Sequence, residues 1–434
     1  MKVKLLMGVL VSMLVVLSLL AACAKASPST SIQPPATSAA SAAAPASPAA
    51  AASSASTSAT ANTLKIGYLG FLGYWVGVDL LHGIQVSIDM INQQGGLTIG
   101  AEKYKIELVS YDTNDDQVTA MAAVNKLIFQ DKVKFIVSDA TYIDAMIPIT
   151  EANKVIICSA DMTPVILSPQ YHYCFSASSL NTGTDVAIGW LAKNYPDLKT
   201  IVIALPDSQV GHMIEKIFTP AFVAFGMTAS AEYYPATATD LSSLGTKIPL
   251  LNPDLFTTVG GTFQPFAAAW QAGYRGQFFN PSPATTANYL AQLTADEVEG
   301  LIGGSSPTEF DPGLDQVAQD FKTAWIAKYG KWEGPEISNL SNFNCLVTAL
   351  QKAGSLDPDA VADVISNGLK FETPNGSAMM ISRPDLGNNR TVDCVIATYM
   401  KKIVGGKSEL IATIPVEEGL GYFHQANPTT ASKP

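Results

Sequence analysis

The stretch from Thr63 to Gly96, TLKIGYLGFLGYWVGVDLLHGIQVSIDMINQQGG, restricts the fold more than any other part of the chain. Leu64-Lys65-Ile66-Gly67-Tyr68-Leu69 alternates and is bounded by glycine, which predicts a strand. A loop spaced by Gly70, Gly73 and Gly77 follows and frames Tyr74 and Trp75. Asp79 is the expected N-cap of a helix in which Leu80, Ile84, Ile88 and Ile91 recur at helical spacing. Gly95-Gly96 then stop it where a left-handed cap is expected. Strand, loop and helix in this order open an α/β sheet, and such sheets bind ligands beyond the C-terminal ends of their strands.

The same rhythm continues. Lys105 to Ser110, Phe135 to Ser138, Val155 to Cys158 and Tyr173 to Ser176 read as further strands with helical patterns between them. Between the first two, Asp112, Asn114 and Asp116 are spaced like a calcium loop. Gln117 stands where such a loop needs glycine and Ala123 where it needs glutamate, so helix capping is the better reading. A second series begins with a helix holding Trp190 and Leu191. Strand-like segments follow at Thr200 to Leu205, Thr228 to Tyr233, Leu255 to Gly260 and Gln277 to Asn280. The alternation indicates parallel α/β structure in two similar halves. Helices are expected over 312–330 and 339–353 and after Pro358, with last strands near Thr391 to Met400 and Ser408 to Ile414.

The N-terminus carries other information. Lys2 and Lys4, an apolar run from Leu5 to Leu20, and Leu20-Ala21-Ala22-Cys23 have the form of a signal peptide closing on a lipobox. Cys23 is then the lipidated residue of the mature chain, and residues 1–22 are removed. Residues 24–62 are almost wholly Ala, Ser, Pro and Thr, a composition without a core, and are expected to act as a tether. A flexible chain of that length reaches about 35 Å. The body from 63 to 425 is long enough for two cores. The formal charge of −11 becomes about −13 without Lys2 and Lys4, which argues against nucleic acid as a partner. Cys158, Cys174, Cys345 and Cys394 show no metal-ligand spacing, and both disulfides and buried thiols stay open.

Enzyme classes find little support. Gly67, Gly70 and Gly73 give G-x-x-G-x-x-G, not the dinucleotide fingerprint, and Asp112 is too distant for a ribose acid. There is no G-x-S-x-G and no H-E-x-x-H, and His82, His172, His212 and His424 share no local motif.

Ile66-Gly67 with Gly73 and Gly83, Ile91-Asn92 with Gly95-Gly96, and Tyr111-Asp112 with its acidic cluster come in a specific order. Asp207-Ser208-Gln209-Val210-Gly211, Gly260-Gly261 and Tyr274 extend it. From Leu64 to about Thr413 the chain resembles the solute-binding proteins of ABC importers, of the leucine/isoleucine/valine-binding type. The resemblance implies two Rossmann-like lobes joined by a three-crossover hinge, with a ligand cleft between them. The crossovers are expected near Leu180, Ser305 and Pro374, giving one lobe of 63–179 with 306–373 and another of 181–304 with 375–425. It also implies no catalysis and no cofactor. The expected partners are a small-molecule ligand and an ABC permease, with the chain a monomer held at the membrane by its lipid. A ligand-sensing receptor module is the alternative use of this fold.

Carried over to this sequence, the first lobe offers Tyr74 and Trp75, then Thr141 and Tyr142, then Ser159, Asp161 and Met162. The second offers Val210, where relatives often place an aromatic, Phe263, which suits core and cleft equally, and Ser282, where amino-acid binders tend to place glutamate. Without that acid an α-ammonium group has no evident partner, so a carboxylate or amide is expected. Asp161 is the residue that could supply the anion instead.

Overall fold

The computed structural model describes residues 62–139, 142–161, 164–258, 262–282, 284–305, 316–335 and 337–428. Cys23, the tether apart from Asn62, Thr141, Met162 and the side chain of Asp161 lie outside what it describes.

Strands β1 (Asn62–Gly70), β2 (Leu97–Ile99), β3 (Glu102–Asp112), β4 (Phe135–Ser138), β5 (Ile156–Asp161) and β6 (Cys174–Ser179) form one sheet in the order β2-β3-β1-β4-β5-β6. β1 runs parallel to both β3 and β4, while β2 pairs antiparallel at the edge. The chain steps from β1 to one side and then returns to the other. The loops leaving β1 and β4 therefore diverge and leave a crevice at the switch point.

The helix after β1 spans Trp75–Gln93 and starts earlier than its sequence suggests. Asp79 lies inside it, and Tyr74 is the N-cap without a side-chain bond. Gly77 explains the early start: a Cβ there would meet the Phe71 carbonyl oxygen at 2.3 Å, so only glycine lets the first turn close against the loop. Asp116 does cap the next helix, Gln117–Phe129, accepting from the Thr119 amide at 2.7 Å.

The second sheet contains β7 (Thr200–Asp207), β8 (Thr228–Pro235), β9 (Leu255–Thr258), β10 (Gln277–Asn280) and β11 (Ile302–Ser305). A third, small sheet holds β12 (Lys370–Thr373), β13 (Gly376–Arg383) and β14 (Asn388–Ile396). β15 (Thr398–Val404) and β16 (Lys407–Ile414) then return to the second sheet, ordered β16-β15-β11-β10-β9-β7-β8. β7 is parallel to both β8 and β9, so this sheet repeats the switch point of the first. Ile201, Ile203 and Leu205 of β7 enter one apolar cluster and Val202 and Ala204 another, the period-two signature of a sheet covered on both faces.

Helices 316–329, 341–353 and 358–366 pack on the first sheet through Phe321, Trp325, Phe343, Leu346 and Val361. The last passage between the sheets lies at Ala397, between β14 and β15, and not at Pro374. The small sheet stays with the first lobe because β14 lies against β6 and because Phe371, Met380 and Val392 fill the first lobe's core. Ile381 and Val395 reach into the second core, so this sheet wedges between the two. Cys158, Cys174, Cys345 and Cys394 are all buried free thiols. Burial pushes the Cys345 and Cys394 thiols well up from their ordinary range.

Candidate functional site

A cavity of about 430 Å³ opens where the C-terminal ends of the two large sheets face each other. Phe71 and Tyr74 from the loop after β1, with Trp75 and Val76 from the first turn of the helix it leads into, form one wall, with Asp139 after β4 and Ala160 of β5 beside them. Phe263, Pro281, Ser282 and Thr285 come from the second sheet. The passages between lobes supply the floor through Leu180, Thr182, Ser305 and Ala397.

The aromatic wall is held by backbone contacts. The Phe71 amide donates to Asp139 Oδ2 at 2.7 Å and the Leu72 amide to Asp112 Oδ1 at 3.0 Å. Buried Tyr68 donates its hydroxyl to the Gly77 carbonyl at 2.7 Å, tying the loop to the first helical turn. Burial, reinforced by Asp139 and Asp112, pushes the Tyr68 phenol far above its ordinary range, so it remains a donor. On this frame Phe71 stacks on Tyr74 with centroids 6.5 Å apart, and Tyr74 meets Trp75 at 5.4 Å. Tyr74 is 44% and Trp75 38% exposed, so neither ring belongs to the core. Phe263 is both core and wall: it is 1% exposed, lies 4.3 Å from the Tyr289 ring and still lines the cavity.

Polar groups on the floor hold the lobes' junction together. Thr182 donates to the Cys394 carbonyl at 2.7 Å, and Ser178 to Asn339 Oδ1 at 2.8 Å. Asn375 donates to the Ile337 carbonyl at 2.7 Å. Among the described residues Asp139 is the one charged side chain that lines the cavity, and no group of His, Cys, Asp or Glu is arranged to hold a metal.

Four of the residues singled out in the sequence therefore meet at the cavity: Tyr74, Trp75, Phe263 and Ser282. Three are placed elsewhere. Tyr142 sits in the left-handed region at φ 56° and gives its hydroxyl to the Asp115 carbonyl at 2.8 Å. Ser159 is buried, because Ala160 takes the cavity-facing register on β5 and its neighbour alternates away. Val210 is the second residue of helix Gln209–Ala224, exposed and outside the cavity lining. Sequence reasoning missed Asp139, although its place directly after the apolar strand Phe135–Ser138 marks it as a strand-end residue. Asn339 and Asn375 gave no such signal, since they arrive from distant segments.

Residues 63–402 match the family model described as periplasmic binding protein, and the chain belongs to that family. Its members bind solutes and are not enzymes. Among solved structures it is similar to the leucine-binding protein LivK of Thermotoga maritima, at 19% identity over 82% of this chain and 100% of the other, with a TM-score of 0.65. It is also similar to LivJ, a branched-chain amino acid substrate-binding protein of Streptococcus pneumoniae solved with isoleucine, at 18% identity, 81% and 99% coverage and a TM-score of 0.63. A solute-binding protein of an ABC transporter from Rhodopseudomonas palustris, solved with 3,4-dihydroxybenzoic acid, matches at 20% identity, 82% and 98% coverage and a TM-score of 0.62. At these identities the three establish the two-lobed fold.

Proposed function

We propose that this periplasmic binding protein is an extracytoplasmic lipoprotein that captures a small organic molecule by lobe closure and presents it to an ABC permease. Similar proteins carry solutes from isoleucine to 3,4-dihydroxybenzoic acid, so amino-acid-like molecules, amides and carboxylates bound the size of the solute. The observation that carries the reading is the cavity itself. It is built jointly by strand ends of both sheets, so a ligand inside it touches both lobes and favours the state in which they are close. An apolar body against Phe71, Tyr74, Trp75 and Phe263 gains about 1.5–3 kcal/mol for each side chain fully buried. The closed form is what the permease recognises. Lipid at Cys23, with 24–62 as its tether, keeps a monomer near the membrane.

Two experiments test this. Denaturing mass spectrometry of protein purified with Cys23→Ser should release a small molecule bound one to one. Metabolic labelling with palmitate should mark the wild-type chain and not the Cys23→Ser chain. Purified protein that releases nothing and is stabilised by no solute extract would refute capture; label retained by the variant would refute the anchor.

A further inference from the structure

The described charge of the cleft is negative. Asp139 is its one charged side chain among the described residues, and the carboxylate lies against Gly77 in the first turn of helix Trp75–Gln93. The internal segments outside the described residues, 140–141, 162–163, 259–261, 283, 306–315 and 336, contain no Lys, Arg or His in the sequence. They have no basic side chain to offer wherever they lie. Buried Lys401 is not in the cavity lining. Its ammonium donates to the Ala284 carbonyl at 2.6 Å and lies 5.4 Å over the Tyr289 ring. A bound carboxylate would share the cavity with Asp139 and meet no cationic side chain among the described residues, whereas a cation would meet an opposite charge.

The aromatic wall adds an independent preference. Tyr74 and Trp75 are tilted 54° to one another, and both line the cavity while staying partly exposed. The faces of such rings carry negative potential and attract an ammonium or guanidinium group within about 6 Å of the centroid, Trp most strongly. Hydroxyls from Ser282 and Thr285 across the cleft accept or donate without adding charge.

We propose that the cleft selects a small organic cation, an amine or alkylated ammonium group on an apolar body, set against Trp75 and Tyr74 beside Asp139. This rests on the reading of the cavity as the solute site. It also reverses the expectation that the missing second-lobe acid at Ser282 leaves an ammonium group without a partner, because the first lobe supplies one.

Benzylammonium, benzamide and benzoate present one ring with charges of +1, 0 and −1, and calorimetry of the full chain against each reads the preference directly. Benzylammonium should bind tightest, by about tenfold or more over benzoate at low salt, a gap that narrows as salt rises. Trp75→Leu keeps an apolar wall and removes the ring, and should weaken benzylammonium about fivefold while changing benzamide less. Asp139→Asn keeps an oxygen for the Phe71 amide, and in protein shown to be folded by its melting curve should abolish the preference for the cation. Equal or tighter binding of benzoate or benzamide would overturn the charge assignment and leave solute capture standing. Binding of none of the three would overturn it as well, with capture then judged by the molecule retained on purification. An unchanged order in a folded Asp139→Asn chain would remove Asp139 from the argument and overturn the proposal.

Discussion

Asp185 makes stability depend on pH in an unusual direction. It lies on helix Leu180–Asn194, directly after the first passage between the lobes, and is 6% exposed. Burial raises its carboxyl from 3.8 to about 7, against the pull of the Asn427 amide, which donates at 2.7 Å, and of Arg383. Asp393 and Asp385, which also face it, add to the rise. The folded protein therefore holds a proton that the unfolded chain releases near 3.8. The sign follows: this contribution is fully present below about pH 4 and is lost as pH rises toward 7. A shift of about three units at 1.36 kcal/mol each sets a ceiling of about 4 kcal/mol. Relaxation and water entry around a newly charged buried group bring this to about 2 kcal/mol. Asp185→Asn keeps an oxygen to accept from Asn427 and cannot ionise. Urea denaturation from pH 3.5 to 8.5 should show the wild type losing about 2 kcal/mol relative to this variant as pH rises. Parallel curves for the two proteins would refute the burial argument, and a wild type that gains on the variant would refute its sign.

Other perturbations have equally definite outcomes. Gly77→Ala gains about 0.5–1 kcal/mol of helix propensity but drives a Cβ to 2.3 Å from the Phe71 carbonyl, a backbone clash costing about 1–3 kcal/mol. The clash should win, with a lower urea midpoint and weaker solute binding; a stabilised variant would show that the loop yields freely. Arg383→Met strands Asp393, which is fully buried and bonded to the guanidinium at 2.7 Å, and should cost about 3–5 kcal/mol in urea. Small-angle scattering with the solute recovered on purification should give a smaller radius of gyration than without it, and an unchanged value at saturation would count against lobe closure.

Much of the fold was legible because its elements are periodic. β1, β4, β5 and β7 are apolar runs ended by turn residues, and each is where its pattern places it. β2 escaped notice because three residues carry no period, and β11, Ile302–Ser305, because Gly303 and Gly304 have no side chains to show one. The start of helix Trp75–Gln93 was misplaced because Asp79 looks like a cap, while the true determinant is a backbone approach at Gly77 that only the fold reveals. The passage at Ala397 was hidden for a related reason: β13 and β14 alternate like any hairpin, and which core they join is settled by packing on β6. At the site, aromatic side chains in a glycine-framed loop were readable as exposed. Ser159 was not, since a shift of one residue along β5 exchanges the cavity face for the core.

The cleft is asymmetric in a way that bears on closure. Aromatic rings and the carboxylate come from the first lobe, whereas the second contributes hydroxyls and the buried edge of Phe263. A solute with an apolar body and a cationic centre would therefore find most of its affinity on the first lobe alone. The second lobe adds Ser282 and Thr285; the Thr285 hydroxyl gives its proton to Asn288 Oδ1 at 2.7 Å in the cap of helix Thr286–Leu290 and lies 3.4 Å from the Gly334 carbonyl across the lobes. Capture then divides into two steps with different chemistry. On the proposed cation reading, the first lobe would set selectivity through ring faces and charge, and the second would set the open-to-closed balance through weak hydroxyl contacts. Thr285→Ala separates them: it should weaken every solute by the same modest factor, about threefold, and leave the order of benzylammonium, benzamide and benzoate untouched. A changed order would show that the second lobe reads the solute's charge too, and the division of labour would fail.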